Sequence, residues 1–176
     1  VAMLAVVLAA YMPIEEVLLP VHFESLGQPG RLGVVLMGVN GGGVVGALVY
    51  GFAAGRMRRS TVFRLSLLVG ASGVLLMATL PSFPALVVIA FAAGVAYGPI
   101  GPLVNIAMQL RSPERMRGRI VGIVVATEYA AGPLGYLVGG AAAEEFGVDT
   151  TFLAVGVLSV GIGIVVSVIQ AATQIH

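Results

Sequence analysis

The sequence predicts an all-α membrane protein, six transmembrane helices arranged as a 3+3 inverted-topology repeat. Three observations predict it. Hydrophobic residues make up 59% of the 176-residue chain, charged residues only 10%, and the mean hydropathy is +1.05. A soluble domain carries about 25% charged residues, and about 45–50% apolar ones with glycine counted. The solvent of this chain is therefore lipid. The apolar residues also form continuous runs without dyad alternation, which selects helices over a barrel. Finally, eight of the nine arginines sit in two islands, Arg56 to Arg64 and Arg111 to Arg119, and there is no lysine. Positively charged loops resist translocation, so these islands mark cytoplasmic loops.

Six spans follow, at roughly 1–22, 32–55, 61–80, 83–109, 118–143 and 150–171. Each reaches the length of about 20 residues that crosses roughly 30 Å of hydrocarbon. The first ends near His22 and a loop carrying Glu24. The second runs into the first arginine island, and the third ends at the Pro81–Pro84 turn. The fourth runs into the second island, the fifth ends at Glu144 and Glu145, and the sixth starts after Asp149. Charge thus alternates from loop to loop. Loops near 56–64 and 111–119 are expected inside, those near 24–31, 81–84 and 144–150 outside, and both ends of the chain in the cytoplasm. The chain opens on Val1 with no basic stretch before the first apolar run, unlike a signal peptide. A piece of a longer protein is expected.

The halves of the chain, roughly 1–82 and 83–176, resemble each other. Tyr11-Met-Pro13-Ile14 in the first span recurs as Tyr97-Gly-Pro99-Ile100 in the fourth. A shift of 88 residues places Arg31 on Arg119, Asn40 on Glu128, Gly51 on Gly139 and Ala53-Ala54 on Ala141-Ala142. Three spans per unit make the second copy enter from the opposite side, an arrangement found in many secondary transporters. Glycine supplies 25 residues, about twice the usual share. It concentrates in spans two and five, where Gly132, Gly135, Gly139 and Gly140 accompany Pro133. In lipid, small residues let backbones approach closely, either as fixed packing or as a sliding contact.

Polar residues within spans are expensive, and so they are the candidates for function. Glu128 lies nine residues beyond Arg119, about 13.5 Å along a helix and near the midplane of the bilayer core. A charge there costs about 2.5–3.5 kcal/mol on the insertion scale. Glu128 should face a cavity, hydrogen-bond a neighbouring helix, or carry a proton. Asn40 reaches a similar depth from the other side. Glu15 and Glu16 diverge by about 100° on a helix, so at most one faces a given cavity, and a solvated helix end is the competing role. Asn105, Tyr11 and Tyr97 complete the set along the predicted pathway. No His or acid cluster has metal-ligand spacing, the two histidines read as solvated, and neither metal nor cofactor is expected. Without a basic stripe interleaved with aromatics, nucleic acid is not expected as a partner.

The loop Gly51-Phe-Ala-Ala54-Gly55-Arg56-Met-Arg58-Arg59 resembles the cytoplasmic pattern G-x-x-x-D-R-x-G-R-R of the major facilitator superfamily. Gly55 stands where the pattern has its acid, and Arg58 where it has its second glycine. Pro113-Glu-Arg115-Met-Arg117-Gly118-Arg119 is similar to that family's loop entering span eleven. Gly132-Pro133-Leu-Gly135 with Gly139-Gly140 resembles the glycine–proline helices of its proton-coupled exporters. The resemblance covers the whole chain and implies the C-terminal half, spans seven to twelve, of a bacterial drug, macrolide or siderophore exporter in the inner (plasma) membrane. It implies a small-molecule substrate, protons as the exchanged ion, and a missing N-terminal six-helix half as partner, with the substrate cavity between halves. Spans one and four would line the cavity, two and five would flank it and meet the other half, and three and six would face lipid. Competing classes are a structural or dimerising six-helix protein, a channel and an intramembrane enzyme. A channel would need a filter-like loop, an enzyme a catalytic constellation, and the sequence offers neither.

Overall fold

A computed structural model describes residues 17–79, 82–111 and 113–173. Every regular element among them is helical: α1 (Leu19–Ser25), α2 (Pro29–Ala53), α3 (Arg59–Ala78), α4 (Phe83–Tyr97), α5 (Ile100–Arg111), a short 3-10 turn (Glu114–Met116), α6 (Arg117–Phe146) and α7 (Val148–Thr173). Five helical segments are long and apolar enough to cross a membrane, with α4 and α5 counting as one. Most of the predicted first span, with Tyr11, Glu15 and Glu16, lies outside the described residues.

Local chemistry sets the helix ends. Gly27, at φ +66, closes α1 in the left-handed conformation that glycine adopts without steric cost. The amide of Gln28 then returns to the carbonyl of Phe23 at 3.0 Å. Pro29 opens α2, where its missing N–H is no loss. Gly147 (φ 84, ψ 154) is the single residue between α6 and α7, in a backbone region open essentially to glycine alone. Pro99 ends the regular helix of α4 near Gly98 and restarts it as α5, so the predicted fourth span consists of two helices.

In α2 the buried positions are Val35, Val39, Gly42, Gly46 and Tyr50, while Met37 (75% exposed) and Phe52 (85%) point outward. A water-soluble helix would reverse this. With lipid outside, large apolar side chains cost nothing there, and the inside is left to residues that permit close approach.

The closest approach joins α2 to α4. A Cβ on Gly42 would overlap the carbonyl oxygen of Phe91 and stand 2.9 Å from the amide of Val95. One on Gly46 would overlap the Val95 carbonyl, one on Gly94 the Val39 carbonyl, and one on Gly98 the Gly43 carbonyl. The fit is reciprocal, glycine against backbone in both directions. Pro99 has no N–H, so the helical donor that would serve the Val95 carbonyl is missing. The Cα of Gly46 faces that carbonyl instead, in the manner of a Cα–H···O contact.

α3 lies between α4 and α7 and is the most buried of the five candidate spans. Gly70 admits the ring of Tyr97, 2.7 Å from an added Cβ, and Gly73 meets Ala93. On its other side a Cβ added to Gly156 of α7 would stand 3.0 Å from the Cα of Leu75. An exposed apolar strip remains on α3 at Leu65, Val69 and Leu76, and a broader one on α7. The main core gathers Leu18, Leu19, Phe23, Val35, Val74, Leu86 and Phe152 toward the end that carries the acidic loops. A smaller cluster of Tyr50, Val62 and Leu103 joins α2, α3 and α5 at the arginine end.

A candidate transport pathway

Asn40 sits near the middle of α2 and is exposed on the face turned away from α4. Its Nδ2 donates to the carbonyl of Leu36 at 2.9 Å, within its own helix. Asn105 in α5 is also exposed, its Nδ2 donating to the Gly101 carbonyl at 3.0 Å. Neither amide is spent on holding two helices together. In hydrocarbon such groups seek a partner or a watered cavity, so the faces that carry them suit contact with protein or water better than with lipid.

Glu128 falls near the middle of α6, and its side chain lies outside the described ones. The neighbouring Tyr129 is 78% exposed. Tyrosine usually anchors at the membrane–water interface; this one stands exposed in mid-span, a further polar group on the helix of Glu128. Its place in mid-span, away from either interface, was a signal in the sequence. On α6, Gly132, Gly135 and Gly139 are buried, whereas Pro133, Leu134 and Leu137 are exposed. Gly140 has no atom within 4 Å of an added Cβ. α2 and α6 thus each keep one broad exposed face.

Tyr97 is drawn away from this surface. Its ring packs over Gly70 of α3, next to the core. Gly51, Arg56, Arg59, Arg115, Arg117 and Arg119 are all exposed at one end of the bundle, with Arg117 lying 3.7 Å from Glu114. Tyr50, one residue before Gly51, is 5% exposed, and its hydroxyl is buried without a hydrogen-bond partner among the described residues.

At the opposite end, His22 is not simply solvated. Its side chain is 18% exposed, Nδ1 lies 3.9 Å from Asp149, and its ring meets Phe23 edge-on at 5.5 Å. Arg31 stacks over Phe83 at 4.8 Å. Among the described residues no three His, Asp or Glu converge to hold a metal ion.

Comparison with known proteins places these features in a family. The family model described as Major Facilitator Superfamily matches residues 2–173. Proteins named "Multidrug efflux pump Tap" from Mycobacterium tuberculosis and Mycobacterium bovis are 40% identical over 159 residues, 90% of this chain and 38% of theirs. One of the same name from Mycolicibacterium fortuitum is 39% identical over 156 residues, 88% of this chain and 38% of its own. The chain therefore spans 38% of the length of the curated relatives it matches. No solved structure matches it. With nearly its whole length matched and transport proteins as its relatives, the chain belongs to the major facilitator superfamily.

Proposed function

We propose that the chain is the C-terminal six-helix half of a proton-coupled exporter of small amphipathic molecules, working by alternating access in the inner membrane. The observation that carries the reading is the 40% identity to multidrug efflux pumps over 90% of the chain. The exposed Asn40 and Asn105, together with the uncovered faces of α2 and α6, support it. Those faces suit a partner half and a cavity between the halves, and two six-helix halves are how this superfamily is built. The matched Tyr-x-Pro-Ile segments and the alternating loops support a 3+3 inverted repeat within the half.

Efflux of a panel of lipophilic dyes by cells carrying the full-length protein tests the activity. Export should collapse on adding a proton uncoupler. Export that continues unchanged points to another driving force.

In this reading the arginine islands face the cytoplasm. The chain contains no cysteine, so single cysteines at positions 60 and 114 should resist membrane-impermeant maleimide in intact cells, while one at position 82 should react. Labelling at 60 or 114 from outside reverses the topology.

The 176-residue chain by itself should show no saturable, gradient-driven flux in proteoliposomes, because alternating access needs a second half to rock against. Robust flux would mean that two copies substitute for the missing half.

A further inference from the structure

Each arginine island carries the same tripeptide, Arg56-Met57-Arg58 and Arg115-Met116-Arg117. All six residues are exposed, and both methionines are 46% exposed. Topology alone does not account for this. Holding a loop on one side of the bilayer requires positive charge, which lysine would supply as well, yet every cation in these loops is arginine. Packing within the chain does not account for it either, because a half-exposed thioether between two exposed guanidinium groups covers little. Anions are scarce nearby. Among the described residues the one arginine–carboxylate pair is Arg117 with Glu114, both well exposed. The islands also sit at the edge of the apolar surface, with Phe52 (85% exposed) about one turn before Arg56 and Leu110 (69%) next to Arg111. The islands therefore begin where the exposed apolar surface of α2 and α5 ends.

We propose that the two Arg-Met-Arg loops form a binding surface for anionic phospholipid headgroups. The paired guanidinium groups hold the phosphate, and the methionine is seated where the acyl chains begin. The arginine fork matches a phosphate through two parallel hydrogen bonds, which an ammonium group cannot do. Methionine is unbranched and adaptable, so it fills the irregular boundary between headgroup and chain. Clustered basic residues beside a span attract anionic lipid. The proposal rests on the topology given above for the choice of the cytoplasmic leaflet.

Arginine footprinting tests it on the full-length protein, held in nanodiscs of phosphatidylcholine alone or with phosphatidylglycerol added. Phenylglyoxal modification of Arg56, Arg58, Arg115 and Arg117, read by mass spectrometry, should slow about fivefold in the anionic discs. Glycerol phosphate added to the phosphatidylcholine discs should give no such protection. Equal protection in both kinds of disc would mean that an acidic segment of the protein covers the loops, and would overturn the proposal. Protection by glycerol phosphate would make this a soluble-phosphate site, and full reactivity in both discs would leave it bare; either result overturns the proposal. Replacing all four arginines by lysine keeps the charge, and so the topology. The preference for a spin-labelled phosphatidylglycerol should still fall several-fold, and an unchanged preference would refute the phosphate fork. If the protection appears but cysteine labelling places the loops outside, the lipid surface stands and the topology fails.

Discussion

Glu128→Gln in the full-length protein should abolish proton-driven efflux while leaving expression and thermal stability near those of the parent. The residue lies near the middle of α6, a helix long and apolar enough to span the membrane. An acid at that depth costs about 2.5–3.5 kcal/mol to insert, so a role that glutamine could fill would be a poor return on glutamate. Glutamine keeps the shape and the hydrogen-bonding capacity but cannot exchange a proton. A structural hydrogen bond would thus survive the change, and proton coupling would not. Glu128→Asp should retain part of the activity. The measurement is dye efflux against external pH, in cells and in proteoliposomes with an imposed gradient. An unchanged rate and pH dependence in Glu128→Gln would make the residue a packing group and move the coupling site out of this half.

Gly46→Ala should destabilise the protein, although alanine is the better helix former. Glycine inside a helix costs about 0.5–1 kcal/mol relative to alanine, so the substitution ought to help wherever there is room. At Gly33, with no atom within 4 Å of an added Cβ, it should help or do nothing. At Gly46 the new methyl overlaps the carbonyl of Val95, which is backbone and cannot rotate away. Overpacking of this kind costs about 1–3 kcal/mol, and separating α2 from α4 would also break the matching contacts at Gly42, Gly94 and Gly98. The melting temperature of the purified protein should fall for Gly46→Ala and Gly94→Ala and hold for Gly33→Ala. Equal stability of all three would mean that α2 and α4 are not in backbone contact.

These two predictions were unequally legible in the sequence. Glu128 stood out because lipid charges heavily for polarity at depth, and the five long apolar helices followed because lipid fixes their length. The α2–α4 contact did not stand out. Gly41 and Gly42 are neighbours in sequence, yet an added Cβ meets nothing at one and the backbone of Phe91 at the other. In a soluble helix the polar face would have shown which of the two points inward. In α2 nearly every residue is apolar or glycine, so no contrast marks the phase. The buried glycines of span two are used within this half, against α4, and leave its opposite face, with Asn40, uncovered. The pairing of His22 with Asp149 was also invisible, since the two are 127 positions apart in the chain and meet only through folding. The same holds for Tyr97, whose place beside Tyr11 in the repeat gave no hint that its ring crosses Gly70.

The break at Gly98–Pro99 divides one membrane crossing into two parts with different mechanical roles. Above it, α4 is bolted to α2 through the glycine contacts. Below it, α5 touches its neighbours only lightly, chiefly through Leu103 against Tyr50 and Val62. Pro99 and Pro102 lack the N–H groups that would tie the first turn of α5 back to α4. A twelve-residue arm is left, about 18 Å long, joined at this pivot to a segment fixed against α2. A bend of about 20° at the pivot would carry its tip, at Arg111, by about 6 Å. The arginine end of this crossing could therefore shift while the part packed against α2 stays still. Opening at one face would then not require the whole bundle to move.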